Sequence, residues 1–132
     1  EADLQRVNVL LESELADALE AEPREWRIHL SFANVYQTAA RRDPTYLPKA
    51  RELLDEAIEL APERIEVIQL LVRQFVIEGN TDGALAIIDE YVAAHDEYLT
   101  PESEVARIFE FLRRDVENVI EANARGSTTG EG

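Results

Sequence analysis

Ala50 and Ala84, Leu54 and Ile88, and the helix-ending Pro62 and Asp96 form three pairs, each separated by 34 residues. Recurrence at a fixed period of this length marks a stack of supersecondary units, each burying an apolar face it cannot cover alone. The same shift carries Leu71, Val72 and Phe75 onto Val105, Ala106 and Phe109. Going backwards, a shift of 39 matches Ala57 and Pro62 to Ala18 and Pro23, and Leu71 and Phe75 to Phe32 and Tyr36. The five additional residues fall in "RRDPTYLP", so one inserted loop reconciles the two periods.

Hydrophobic spacing is helical nearly throughout, and no alternating run is long enough for a strand, which predicts an all-α chain of about six helices. The first helix is expected at 2–21, with Leu4, Val7, Leu11, Leu15 and Ala18 on one stripe, stopping before Pro23. A second is expected at 24–40, carrying Ile28, Phe32, Val35, Tyr36 and Ala39. Pro44 and Pro48 break it, because neither tolerates a helix interior. The third is expected at 47–60 and the fourth at 64–78, closed by Gly79 in a left-handed conformation, with Thr81 or Asp82 capping the next. The fifth spans 82–95; Thr100, Pro101, Glu102 and Glu104 then open a sixth that reaches Asn123. "RGSTTGEG" holds no apolar residue and is expected to be a disordered tail at 125–132.

The pattern resembles the tetratricopeptide repeat, a helix–turn–helix unit of 34 residues. "FANVY" fills family slots with Phe32, Ala33 and Tyr36, while His29 stands where the family prefers tryptophan. "ARELLDEAIELAP" supplies Ala50, Leu54, Ala57 and Pro62; the next unit supplies Ile68, Leu71, Val72, Phe75, Gly79, Ala84 and Ile88. Tyr91 replaces a family alanine and Asp96 the proline, and Tyr91 implies local repacking. The resemblance covers about residues 12–112, and after Phe109 the pattern lapses, leaving Leu112, Val116, Val119 and Ile120 in helical phase. It implies antiparallel helix pairs stacked as a short right-handed superhelix: a half unit at 2–22, a unit at 24–62 with its inserted loop at 42–47, a unit at 64–96, and a long capping helix at 101–123. Together with Trp26, "EWRIHLSFANVYQ" and "DPTYLPKARELL" are also similar to soluble repeat segments of bacterial membrane proteins resembling O-antigen ligases and polysaccharide polymerases. That similarity implies a scaffolding or regulatory role within such a protein.

The tetratricopeptide resemblance implies a concave face, lined by the first helix of each unit, that takes an extended peptide or a partner helix. Its candidate contact positions fall at Arg27, Asn34, Gln37 and Thr38, then Gln69, Arg73, Val76 and Ile77, then Arg107. Arg73 and Arg107 are themselves 34 residues apart. Two readings stand. As a ladder the arginines clamp carboxylates in bidentate fashion, which implies an acidic peptide or a C-terminal carboxylate as ligand; alternatively they pair with Glu66, Glu104 or Glu110 along their own helices. Val76 and Ile77 either add an apolar pocket or pack under the last helix.

Chemistry for catalysis is missing from the sequence. His29 and His95 are the only histidines and lack any partner at metal-ligand spacing; His29 reads as a packing residue beside Trp26, and His95 as a charge at a helix C-terminus. Asp55 with Glu59, and Asp89 with Glu90, read as solvated faces rather than acid–base pairs. No glycine-rich phosphate loop and no nucleophile with a base appears, so no enzyme and no cofactor is expected. Trp26, Tyr46, Tyr98 and Phe111 are candidate interface anchors.

The 28 acidic and 13 basic residues leave a net charge of −15, which repels phosphate backbones and argues against nucleic acid as partner. Lys49 is the sole lysine; the arginine bias fits either carboxylate recognition or a GC-rich genome. With neither cysteine nor methionine, the chain offers no disulfide and suggests an excised piece of a longer protein. No run is apolar enough to insert in a membrane, which slightly favours the cytoplasm without fixing a compartment. The first helix is a second-half helix lacking its first-half partner, so Val9 and Leu10 are expected to be uncovered. A homodimer through the first or the last helix follows as an expectation.

Overall fold

A computed structural model describes the backbone of residues 2–95 and 102–130 and the side chains of residues 9–95 and 102–125. Among these the chain is all-α, with six α-helices and one 3₁₀ turn: α1 (Ala2–Ala21), α2 (Trp26–Ala40), a 3₁₀ turn (Pro44–Tyr46), α3 (Leu47–Leu60), α4 (Ile65–Ile77), α5 (Thr81–Ala94) and α6 (Glu104–Gly130). The chain divides into two compact units, Glu1–Glu63 and Arg64–Gly132.

In the first unit α1 and α3 have the bounds their apolar spacing predicts. α2 begins at Trp26 rather than residue 24, because Glu25 takes an extended conformation and its carboxylate accepts the Arg27 N–H at 3.3 Å. The inserted loop is the 3₁₀ turn, and its start is tied by Asp43 Oδ1, which accepts from Thr45 N (3.1 Å) and Thr45 Oγ1 (2.7 Å). Pro44 and Pro48 occupy the first turns of two separate helices, where the missing N–H costs nothing. α2 packs chiefly on α3, and α1 leans on α2. Small residues allow the α2–α3 approach: Ala33, Ala40, Ala50 and Ala57 are buried around Tyr36, Leu53 and Leu54.

In the second unit α4 packs on α5, and α6 packs on both. Ala84 and Ile88 are fully buried, as are Ala50 and Leu54 one period earlier. α4 closes as expected on Gly79 (φ 82°), with Asn80 N donating to Phe75 O (2.8 Å) and Gly79 N to Val76 O (3.0 Å). The α5 cap differs from the expectation: Asn80, not Thr81 or Asp82, accepts the Gly83 N–H at 2.9 Å. Tyr91 is half-buried between α5 and α6, its ring 4.7 Å from that of Phe109 and stacked at 4.1 Å on His95. An alanine occupies the corresponding position, Ala57, in the first unit.

α6 starts at Glu104, where Ser103 Oγ accepts the Ala106 N–H at 3.1 Å; the expected cap at Thr100 and Pro101 lies outside the described residues. The helix runs to Gly130, past the expected end at Asn123 and into the segment read as a disordered tail. "EANAR" at 121–125 contains no proline and two alanines, so nothing local stops the helix where its apolar stripe ends.

Candidate functional site

An α-helix turns about 100° per residue, so the buried residues of each helix define its inner arc and locate its outer one. On α4 the inner arc is Val67, Ile68, Leu71, Val72 and Gln74, all buried. Arg73 lies roughly opposite, flanked along the helix by Gln69 and Val76, with Ile77 beside them; all four are half-buried. On α6 the buried residues are Phe109 and Val116, and Arg107 lies on the far side, exposed. The two arginines thus occupy equivalent outer positions on helices that pack against each other within one unit. No carboxylate among the described residues is paired with the Arg107 guanidinium, whereas Arg113 of the same helix forms an ion pair with Asp89 of α5.

On α2 the candidates separate. Arg27, Asn34 and Thr38 share an exposed stripe at spacings of seven and four residues. Gln37 belongs instead to the inner arc, one turn from Ala33, and is fully buried, so it is not accessible to a ligand. Adjacent residues 37 and 38 project in different directions, and only Thr38 faces outward. Arg27 is engaged locally: its guanidinium reaches Glu25 Oε1 at 3.2 Å and lies 5.1 Å from the Trp26 ring centre. Thr38 Oγ1 donates to Asn34 O at 3.0 Å.

Both histidines are spent on backbone carbonyls. His29 is buried and its Nδ1–H donates to Glu25 O at 3.1 Å; His95 Nδ1–H donates to Tyr91 O at 3.0 Å. Among the described residues no three His, Asp or Glu side chains converge as metal ligands. Of the anticipated anchors, Phe111 is exposed, Trp26 and Tyr46 are half-buried, and Tyr98 lies outside the described residues.

A feature not anticipated from sequence lies in the first unit. A cleft of about 210 Å³ is lined by Glu12 of α1, Tyr36 of α2, Asp43, Thr45 and Tyr46 of the inserted turn, and Lys49 of α3. The Tyr36 ring lies 5.8 Å from that of Tyr46, and its buried hydroxyl makes no hydrogen bond to any described residue. Burial first, then the Glu12 carboxylate and Tyr46, raise the Tyr36 pKa above its ordinary value of 10.0, so the phenol stays neutral. The Lys49 ammonium approaches Glu52 at 3.8 Å. The only sequence signal for this cleft is the inserted "RDPTY" itself, whose Asp–Pro–Thr turn folds Tyr46 back on α2.

Comparison with known proteins adds no relative: no family model, no curated protein and no solved structure matches the chain.

Proposed function

We propose that this chain is a non-catalytic interaction module of tetratricopeptide type that binds an acidic peptide or partner helix, with Arg73 and Arg107 gripping its carboxylates. One observation carries the reading: arginines separated by the repeat period occupy the outward positions of two helices packed in the same unit, and one of them is exposed. A planar guanidinium accommodates a carboxylate through two parallel hydrogen bonds, and in a protein of net charge −15 arginine is the side chain suited to that contact. Val76 and Ile77, three and four residues after Arg73 and half-buried, supply apolar surface for a side chain between the gripped carboxylates. α6 serves in this reading as the capping helix of the repeat array.

The test is a peptide-array screen biased toward acidic and free C-terminal sequences, followed by titration of the captured peptides with wild-type and Arg73→Glu/Arg107→Glu protein. Loss of two charge-assisted contacts, each worth about 1.5–3 kcal/mol, is expected to weaken binding by more than about a hundredfold in a variant with unchanged circular dichroism. An acidic peptide held equally by both proteins would show the arginines to be structural and sink the reading.

A further inference from the structure

The cleft in the first unit is a product of the insertion that separates the two repeat periods. Asp43, Thr45 and Tyr46 of its lining belong to the inserted turn, and Glu12 of α1, Tyr36 of α2 and Lys49 of α3 complete it. All lie within Glu1–Glu63, so the cleft belongs to one compact unit. The turn is fixed by Asp43 Oδ1, which accepts both the Thr45 N–H and the Thr45 hydroxyl. The Tyr36 and Tyr46 rings, 5.8 Å apart and inclined at 35°, give the cleft an aromatic wall. At about 210 Å³ it is smaller than the ~300–1,000 Å³ that holds a drug-sized ligand, and it admits a single side chain or a small metabolite.

Two features of the lining ask for a donor that the described residues do not supply. Tyr36 is 1 % exposed, yet its hydroxyl has no hydrogen-bond partner. Burial first, then Glu12 and Tyr46, hold this phenol neutral; because both of those residues line the cleft, the hydroxyl lies at its wall. A neutral phenol oxygen accepts as well as donates, and a bound donor recovers the free energy that an unsatisfied buried group costs. The Glu12 carboxylate likewise makes no hydrogen bond or ion pair with a described residue, and no charged residue stands three or four positions from it on α1. The basic groups nearby do not cancel it. Lys49 is the one cation in the lining and is drawn to Glu52 at 3.8 Å, while Arg41 and Arg42, which precede Asp43, are not part of the lining. Glu12 and Asp43 therefore leave the cleft with one carboxylate in excess, in a chain whose net charge of −15 attracts cations. Among the described residues no three carboxylates or histidines converge to hold a metal ion, which makes an organic cation the fitting occupant.

We propose that this cleft binds a primary ammonium on a short alkyl stem, borne by a free amine or by a lysine side chain of a partner protein. The ammonium carries three N–H donors on one small head, to be shared among the Glu12 carboxylate, the Tyr36 oxygen and Asp43 Oδ2, which accepts no hydrogen bond from a described residue. The alkyl stem packs on the tyrosine wall, whose ring faces also attract a cation. None of these residues belongs to the arginine grip proposed above.

Backbone-amide NMR titration of the full chain with butylammonium chloride, against sodium chloride at equal ionic strength, tests this. Saturable shifts are expected at Glu12, Tyr36 and residues 43–49, with a Kd of roughly 10⁻³ M for so small a ligand. Butanol, which has the stem without the charge, is expected to bind at least ~10-fold more weakly. Glu12→Gln, at an exposed position, and Tyr36→Phe, which removes only the unpartnered hydroxyl, are each expected to weaken butylammonium binding about tenfold, the effect of one charge-assisted hydrogen bond. Nα-acetyl-lysine methylamide separates the two sources: shifts at the same residues admit a partner's lysine, and its exclusion while butylammonium binds restricts the cleft to free amines. No shifts at the lining residues, equal binding of butanol, or unchanged affinity in both folded variants overturns the proposal. Arg73→Glu/Arg107→Glu protein keeps amine binding while losing acidic peptides, so the two readings fail separately.

Discussion

A methyl group added at Gly83 is expected to cost almost nothing by itself and to erase the effect of truncating Asn80. Gly83 occupies the third position of α5, where its N–H is held by Asn80 Oδ1 at 2.9 Å. A Cβ built there would stand 2.5 Å from Asn80 Nδ2 and 2.9 Å from its Cγ, too close for both side chains to keep their places. The exposed asparagine swings away and the cap is lost, at about 1 kcal/mol. Replacing glycine by alanine within a helix returns about 1 kcal/mol, because the unfolded chain has less backbone freedom to lose. Gly83→Ala is therefore close to neutral, Asn80→Ala costs about 1 kcal/mol, and the double variant again falls close to neutral, since a cap already lost cannot be lost twice. The coupling is about −1 kcal/mol, measurable by urea unfolding of all four proteins followed by far-ultraviolet circular dichroism. Additive substitutions, with the cycle closing within ~0.3 kcal/mol, would refute the argument by showing that Asn80 caps α5 beside the new methyl group.

Other perturbations probe the cores and the cleft. Leu54→Ala, at a fully buried position, is expected to destabilise by about 2–5 kcal/mol in the same urea assay, the range for an uncollapsed core cavity. Gly79→Ala meets no atom within 4 Å, so its cost is the left-handed backbone alone, about 1–2 kcal/mol; a larger loss would mean a steric contribution. Tyr36→Phe removes a buried hydroxyl without a hydrogen bond and is expected to be neutral or stabilising by up to ~1 kcal/mol. Because the folded pKa of Tyr36 is raised above 10.0, the unfolded chain ionises first as pH rises through that value and stability falls; the phenylalanine variant should show a shallower alkaline loss in pH-dependent unfolding. Asp89→Asn breaks an exposed pair with Arg113 and should cost no more than ~1 kcal/mol, a difference that shrinks in high salt.

Where helices lie was largely legible in the residues, because apolar spacing and proline are local signals. α1 and α3 follow their stripes to the residue, and Pro23 and Pro44 end helices that nothing else would end. Caps were less legible. Asn80 beats Thr81, and Ser103 caps the described start of α6, because capping depends on which side chain reaches a free N–H once the turn has formed. Of the candidate contact residues, Arg107 was readable as outward-facing from its distance to Phe109, whereas Gln37 was not readable as buried until the inner arc of α2 had been fixed by Ala33 and Tyr36.

By itself the sequence determined the helical class, the recurrence that makes Ala50 with Leu54 and Ala84 with Ile88 equivalent buried pairs, and the acidity that sets which partners the chain repels. These depend on composition and on spacing within a single helix, where the 3.6-residue period alone decides which side chains share a face. Only the tertiary structure decided that Tyr91 wedges against Phe109, that the inserted turn folds Tyr46 onto Tyr36 to form a cleft, and that Gln37 is buried while Phe111 stays exposed. Those outcomes depend on which helix packs beside which, and a side chain's own spacing carries no information about the neighbour that covers it or leaves it bare.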